Sequence, residues 1–300
     1  MVRRLRVVSP ETAGRVRAAI AALGYQPDPA LSSLAAYRAR LQPGRASGNV
    51  VAFLDRDGSP YSGQVREGAE QEAARLGYRL EPFRLAPGEA VQRRLSRQLY
   101  HRGIQGLLFG PSDAAWRFVA WEWPRFAAVS LGALIHQPPM HSVAMDYFQG
   151  AFDAAEALRR QGCRRIGLAL EGHLESRSGH RWIGGLQASL HPSGLPLFRA
   201  ERCGDPRALR EWARRHRIDG VATIHGAVWR ALASRPIRFV FLNDFDCPPG
   251  VPHLTLSPES IGAEGMRCLH PLLIHREFGI PEQPKMTALQ ARVGALPRLP

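Results

Sequence analysis

Few residues in this sequence have the types and spacing that chemistry requires. The segment 55–58 begins like a calcium-binding loop, but the later ligand positions and the closing glutamate are missing, so we predict an ordinary turn. His270 and His275 lie five residues apart on a predicted helix and do not share a face, which argues against a metal site. No GxGxxG, P-loop, HExxH or GxSxG motif is present in the sequence. We therefore expect no catalytic residues, no metal and no cofactor, and a protein that is not an enzyme.

The composition indicates a folded chain. The 300 residues are 45% hydrophobic and 22% charged, which is typical of globular proteins and suffices for two domains. No apolar run approaches the roughly 18 residues of a membrane span, and no apolar stretch follows the basic N-terminus as it would in a secretory signal. The four cysteines lie far apart and form no CxxC pair, which suits a reducing compartment. We expect a cytoplasmic protein that has no membrane partner.

Positive charge is concentrated near the N-terminus. The formal net charge is +14, but Lys285 is the only lysine, so the excess of arginine points to codon usage more than to function. Residues 1–48 hold eight arginines and two acidic residues, which is a net charge of +6. Both a nucleic-acid contact and a solvated basic arm explain this local excess.

The first residues predict a helix followed by a linker. Ser9 suits the N-cap of this helix, Pro10 its first position and Gly24 its C-terminal cap. A short amphipathic stretch over 30–41 follows, and the segment 43–48 is typical of a linker.

From residue 49 onward, apolar strands alternate with amphipathic helices. Val50–Leu54 is a continuous apolar strand, and a helical stripe from Val65 to Leu76 follows it. After Pro138 the same alternation restarts and runs to Leu242. Strands without polar alternation, separated by helices, indicate parallel sheets that are covered on both faces. The predicted fold class is α/β, with two doubly wound parallel-sheet subdomains and a ligand cleft beyond the carboxyl ends of the strands.

Motifs along the chain resemble one family. The segment 8–27 resembles the end of the DNA-binding headpiece of lac-repressor-type (LacI/GalR) transcription regulators. Further matches follow in the order of that family: Gly77-Tyr78, Gly106-Leu107-Leu108, Asp146 with Gly150 and Leu158, Gly162 followed by Arg164-Arg165-Ile166-Gly167, Asp219-Gly220-Val221, and Ile261-Gly262. Each match alone is weak, but their order and spacing through most of the chain make the resemblance specific.

The resemblance implies a domain organisation. It implies a core of the periplasmic-binding-protein-like type I fold, which dimerises, binds a small effector in its cleft and thereby controls affinity for DNA. The expected parts are an incomplete helix-turn-helix headpiece over 1–28, a hinge or linker over 29–48 and an effector-binding core over 49–300. Within the core we expect an N-subdomain of about 49–145 plus 258–279, and a C-subdomain of about 146–257 plus 280–300.

The N-terminal part departs from the family. Two headpiece helices, including the recognition helix, should precede Val8, where only seven residues stand. A misassigned start, a truncated chain and a real loss of operator recognition would each explain this, and we favour a missing start. The stretch from Leu34 to Val50 is longer than the usual hinge. Leu34, beside Ser33, matches the leucine that the family inserts into the minor groove, so these two are the predicted DNA-binding residues; the alternative is a short helix packed on the core.

The effector site follows from the resemblance position by position. Arg181 matches an arginine that grips the ligand, and its planar donor fork suits vicinal hydroxyls or a carboxylate. Asp146 matches an aspartate at the cleft. The alternatives are a surface salt bridge for Arg181 and a helix N-cap for Asp146.

Other candidate effector-binding residues follow the ends of predicted strands. His225-Gly226 stands where the family has an Asn-Asp pair, and Asn243-Asp244 stands where it has Asp-Asp. Asp55 and Tyr61 come after the first strand, and the Tyr61 ring could stack on a ring of the ligand. The loss of the acidic residue of that pair leaves the class of ligand open, although a sugar is usual in the family.

The predicted function is that of a repressor-type DNA-binding transcriptional regulator. Its operator affinity would be controlled by a small effector, a carbohydrate by family analogy, and its partners would be operator DNA, the effector and a second copy of the chain in a homodimer. The alternative is a sugar-binding protein of the same fold that does not bind DNA.

Overall fold

The computed structural model describes residues 10–22, 49–56, 58–112, 117–118, 120–132 and 137–294. The chain divides into two compact units, Met1–Ala46 and Ser47–Pro300. In the first unit the structure describes one helix, α1, Pro10–Ala22, which begins at the proline that the sequence predicts for its first position. Ser33, Leu34, the 29–48 linker and the rest of the 1–28 headpiece lie outside the described residues.

The described part of the second unit contains two six-stranded sheets. The first sheet consists of β1 Val50–Asp55, β2 Arg79–Arg84, β3 Gly106–Phe109, β4 Ala127–Leu131, β5 His141–Met145 and β11 Met286–Leu289. The second sheet consists of β6 Ile166–Ala169, β7 Leu197–Ala200, β8 Gly220–Thr223, β9 Arg238–Phe241, β10 His253–Thr255 and β12 Arg292–Gly294. Their spatial orders are β11-β5-β4-β3-β1-β2 and β12-β10-β9-β8-β6-β7.

Helices connect these strands. They are α2 Pro60–Arg75, α3 Glu89–His101, α4 Tyr147–Arg160, α5 Gly172–Arg177, α6 Arg181–Leu190, α7 Pro206–His216, α8 Gly226–Leu232 and α9 Pro258–Ile274. Every strand pair is parallel except β10 with β12, which is antiparallel. This architecture confirms the predicted α/β class with two doubly wound subdomains. None of the described helices is both long and apolar enough to cross a membrane.

The continuous apolar strands are explained by burial on both faces. In β1, Val51 and Phe53 pack into one core cluster, whereas Ala52 and Leu54 pack into another cluster on the opposite face of the sheet. Successive side chains of a strand point to opposite faces, so a strand without polar alternation requires a hydrophobic layer on each side. The second sheet likewise has one core cluster on each face.

One predicted boundary differs from the structure. The sequence assigned residues 280–300 to the C-subdomain, but β11 pairs with β5 in the first sheet, whereas β12 joins the second sheet. The backbone N–H of Asp146 donates to the carbonyl of Leu289, the last residue of β11, at 2.8 Å. This bond holds the end of β11 beside the point where the chain first passes from one sheet to the other. The chain therefore crosses between the subdomains at Asp146, between β10 and α9, and between β11 and β12.

Candidate functional site

A cavity of about 530 Å³ lies where the carboxyl ends of the two parallel sheets face each other. Its walls come from the segments that follow β1, β3, β6, β8 and β9, together with the crossings between the sheets. Ligand sites of doubly wound folds occur in this position because loops and helix N-termini converge there. The volume is in the range of small-molecule sites.

The first subdomain contributes a carboxylate and an aromatic ring. Asp55 ends β1, and its Oδ2 accepts a hydrogen bond from Ser62 Oγ at 2.7 Å. Ser59 caps α2 by accepting from the backbone N–H of Ser62 at 3.2 Å. These bonds hold the start of α2 against the end of β1, so Asp55 and Tyr61 both line the cavity, as the sequence predicts.

The second subdomain contributes two packed aromatic rings. Tyr147, in the first turn of α4, and Trp182, in the first turn of α6, meet edge to face with ring centroids 4.9 Å apart. Both line the cavity. Aromatic faces of this kind suit the apolar faces of sugar rings or other ring-shaped ligands. The sequence predictions missed both residues, although each is adjacent to a predicted site residue.

The loop after β9 supplies the remaining polar wall. Asn243, Asp244 and Asp246 line the cavity together with Phe245. Asn243 Oδ1 accepts from the backbone N–H of Phe245 at 3.3 Å, and Asp246 Oδ2 accepts from the N–H of Gly226 at 2.6 Å. Asn243 and Asp244 were predicted; Asp246 and Phe245 were missed, though an aromatic between two aspartates directly after a buried strand is a signal that could have found them.

His225 also lines the cavity, but its imidazole has a protein neighbour. His225 Nε2 lies 2.5 Å from Glu171 Oε2. Its backbone N–H donates to Thr223 Oγ1 at 3.1 Å, which fixes the turn after β8. The prediction placed His225 at the cleft, and the structure adds Glu171 beside it.

Asp146 and Arg181 are not among the residues that line the cavity. Asp146 is the N-cap of α4, with Oδ1 accepting from the N–H of Gln149 at 3.0 Å. This is the alternative stated for it, and its carboxylate is committed to the helix. Arg181 is the first residue of α6, where its backbone N–H donates to Ser178 Oγ at 3.2 Å. Consecutive helical residues point about 100° apart, so the neighbouring Trp182, rather than Arg181, faces the cavity. A ligand contact by Arg181 stays a prediction.

A buried carboxylate supports this wall from behind. Glu175 is 1% exposed, and its Oε1 accepts from the backbone N–H of Ile183 at 3.0 Å. The N-cap residue of α6, His180, makes no side-chain capping bond, so Glu175 takes over that role from the preceding helix. Burial raises the pKa of Glu175, and the Ile183 N–H, His180 and Arg199 offset part of that rise.

Glu175→Gln tests this buried charge. A carboxyl whose pKa is raised on folding stabilises the protein fully below its unfolded pKa, and that stabilisation is lost as the pH rises through the folded pKa. Glutamine keeps the carbonyl acceptor for Ile183 without a charge. We therefore expect the free energy of unfolding of Glu175→Gln, relative to the parent, to increase from about pH 4 to about pH 8 in urea titrations. The same change at the exposed Glu282 controls for the loss of one acidic side chain, and equal trends for both variants would refute the assignment.

The two α/β halves and the cavity at their facing strand ends define a two-lobed ligand-binding fold of the periplasmic-binding-protein type. No family model and no curated protein matches the sequence. A LacI-family regulatory protein from Chloroflexus aggregans is 18% identical over 82% of this chain and 96% of that chain, with a TM-score of 0.63. The structure of the transcriptional regulator CelR with cellobiose is 19% identical over 95% of this chain and 90% of that chain, with a TM-score of 0.64.

A third solved structure, that of a LacI-family transcriptional regulator from Enterococcus faecium with bound ribose, is similar to a comparable degree. It is 15% identical over 81% of this chain and 96% of that chain, with a TM-score of 0.61. The chain therefore has the fold of the LacI-family regulators, as the sequence resemblance predicted.

Proposed function

We propose that this protein is a DNA-binding transcription regulator of the LacI type whose DNA affinity responds to a small carbohydrate-like effector. The observation that carries the proposal is the cavity between the two subdomains, to which both halves contribute aromatic rings and carboxylates. A ligand that touches both halves favours one relative arrangement of them, which is how binding energy can be converted into a conformational signal. Operator DNA and a second copy of the chain are the further partners that the proposal includes.

The chemistry of the cavity supports a polyhydroxylated ligand. Asp55, Asp244 and Asp246 offer carboxylate oxygens that accept hydrogen bonds from hydroxyl groups. Tyr61, Tyr147, Trp182 and Phe245 offer ring faces for the C–H face of a sugar ring. The CelR and Enterococcus faecium structures contain cellobiose and ribose, respectively, which fits the same class of ligand in a cavity of this kind.

The N-terminal charge supports contact with DNA. The net charge of +6 over residues 1–48 suits phosphate groups, whose neutralisation releases counterions and makes binding dependent on salt. Phosphate contacts position a protein on DNA without identifying a sequence. Any selectivity for an operator therefore needs contacts to the bases in addition to this charge.

The proposal predicts that DNA binding and sugar binding are coupled. Fluorescence anisotropy should show that DNA affinity falls steeply with salt. Replacing Arg3, Arg4 and Arg6 by glutamine should reduce the slope of the logarithm of the binding constant against the logarithm of the salt concentration by up to about 3. A panel of pentoses, hexoses and disaccharides should contain a ligand that raises the melting temperature and changes the DNA affinity by about 5- to 150-fold.

Each result has a distinct consequence. A sugar that stabilises the protein but leaves DNA affinity unchanged would contradict the regulator and favour the sugar-binding protein without DNA binding. DNA binding without any effect of the whole panel would contradict the carbohydrate effector. The absence of salt-dependent DNA binding would contradict the role of the basic N-terminal segment.

A further inference from the structure

Three residues with metal-binding side chains lie together at one edge of the second sheet. Strand β6 lies between β7 and β8, and its last residue, Ala169, pairs with Ala200 on one side and Thr223 on the other. Glu171 and His225 each follow their strand end by two residues, and Cys203 follows its strand end by three. Parallel strands in register deliver the segments after them to the same edge, which explains why residues far apart in sequence meet here.

The potential ligand atoms are close to one another. The carboxylate of Glu171, the thiol of Cys203 and the imidazole of His225 have ligand atoms within 4.8 Å of one another. Among the residues that the structure describes, no other group of three or more His, Cys, Asp or Glu side chains meets this criterion. Thr223 Oγ1 donates to the carbonyl of Ala169 at 2.8 Å, which locks the two strand ends that carry Glu171 and His225.

Two buried polar atoms of this cluster lack a hydrogen bond. Glu171 Oε2 and His225 Nε2 are only 2.5 Å apart, but the contact lacks the geometry of a hydrogen bond, and both atoms are shielded from solvent. Buried polar atoms that lack a hydrogen bond are costly, so such a pair is expected to gain from a bridging group. A cation between Glu171 Oε2 and His225 Nε2 would accept a lone pair from each of them.

The thiol of Cys203 completes a ligand set. Cys203 is 2% exposed, and its hydrogen bond to the carbonyl of Ala200 is long, at 3.6 Å. The carboxylate of Glu171 is a second neighbour of this thiol. Zn²⁺ binds cysteine as the thiolate, so binding here would release the proton of this thiol.

We propose that Glu171, Cys203 and His225 form a three-ligand site for Zn²⁺. One sulfur, one nitrogen and one oxygen ligand suit this borderline-soft cation, which prefers four tetrahedral ligands. Ligand atoms around tetrahedral Zn²⁺ are about 3.3–3.6 Å apart, so the carboxylate and imidazole need to separate by about 1 Å, which side-chain rotation can supply.

The site touches the cavity through one of its ligands. His225 lines the cavity, whereas Glu171 and Cys203 are not among its lining residues. Three protein ligands leave one tetrahedral position for water or another donor, as in Zn²⁺ sites that interact with small molecules. The metal site does not depend on the proposed regulator function, and its test requires neither DNA nor a sugar.

The experiment measures metal binding by the full chain without a polyhistidine tag. After treatment with a chelator, titration with Zn²⁺ is expected to give one tightly bound ion per chain, with release of protons on binding. Zinc X-ray absorption of the loaded parent chain should show one sulfur ligand at about 2.3 Å. Co²⁺ in place of Zn²⁺ should give the thiolate-to-metal absorption band. A loaded chain without a sulfur ligand would overturn the proposal.

Matched variants assign the ligands. Cys203→Ser should weaken Zn²⁺ binding by at least about 100-fold. Loss of a residue that only hydrogen-bonds to a metal ligand can already weaken binding by about 100-fold, and loss of a ligand itself should cost no less. Cys268→Ser, which alters a half-buried thiol on α9, should bind Zn²⁺ like the parent chain. Glu171→Gln should weaken binding but keep the thiolate band of the Co²⁺ form. Circular dichroism checks that each variant is folded. A folded Cys203→Ser or Glu171→Gln variant with the Zn²⁺ affinity of the parent would refute the site. If either variant fails to fold, the zinc X-ray absorption of the loaded parent still tests whether a sulfur atom is a ligand.

Discussion

Replacing Gly68 by alanine is expected to lower the free energy of unfolding by about 3 kcal/mol or more. An extra methyl group in a packed core ordinarily costs about 1–3 kcal/mol, and here the methyl group would meet backbone atoms, which yield less than side chains do. Gly68 lies where α2 packs against the first turn of α9. A Cβ atom there would overlap the carbonyl oxygen of Glu259 and stand 2.5 Å from its carbonyl carbon. Backbone atoms of a helix cannot turn aside as a flexible side chain can, so the two helices must separate.

The control lies in the same helix. Gly63 is also in α2, but a Cβ there would meet nothing within 4 Å. Helix propensity favours alanine over glycine by about 1 kcal/mol, so Gly63→Ala should stabilise the protein by up to that amount. Urea unfolding of both variants measures the difference. Similar stabilities for Gly68→Ala and Gly63→Ala would show that the α2–α9 contact is looser than the structure has it.

Replacing Phe245 by alanine is expected to weaken the binding of an effector by about 10- to 100-fold, which corresponds to the loss of one large ring from a ligand contact. Phe245 is 51% exposed at the cavity wall, and its ring stands edge to face with Tyr61, with centroids 6.2 Å apart. The two rings come from different subdomains, so a ligand between the subdomains can contact both. An exposed ring contributes little to the core, so the ligand-free melting temperature should change little.

Tyr100 provides the matched control for this prediction. It is a half-exposed aromatic residue of α3, outside the residues that line the cavity. Tyr100→Ala should leave the affinity for any ligand found in the sugar panel unchanged, as measured by calorimetry. An unchanged affinity in Phe245→Ala would remove this ring from the effector site. Arg181→Ala, measured beside them, tests the contact that the family resemblance predicted for that residue.

The sequence by itself determined the class of the fold and five of the residues that line the cavity. Strands such as Val50–Leu54, apolar throughout, require cover on both faces, and the helices between them supply it. Because ligand sites in this class lie at the carboxyl ends of strands, residues just after strands were good candidates. Asp55, Tyr61, His225, Asn243 and Asp244 do line the cavity.

Several strands lacked a sufficient local signal. Strands β7, β10 and β12 are three or four residues long, and β11 alternates between exposed and half-buried positions. Short strands with partial burial carry little hydrophobic pattern, so their existence depends on neighbours that the sequence does not place. The assignment of β11 to the first sheet follows from its pairing with β5 and could not be deduced from its residues.

Only the tertiary structure decided which side chains reach the cavity and which meet each other. Arg181 and Trp182 are adjacent in sequence, but the rotation of a helix sends them in different directions, and the start of α6 decides which one faces the ligand. The carboxylate of Asp146 caps a helix because α4 begins at the next residue. Glu171, Cys203 and His225 have no common motif; they meet because β7, β6 and β8 are neighbours in register, and strand order is a property of the folded sheet.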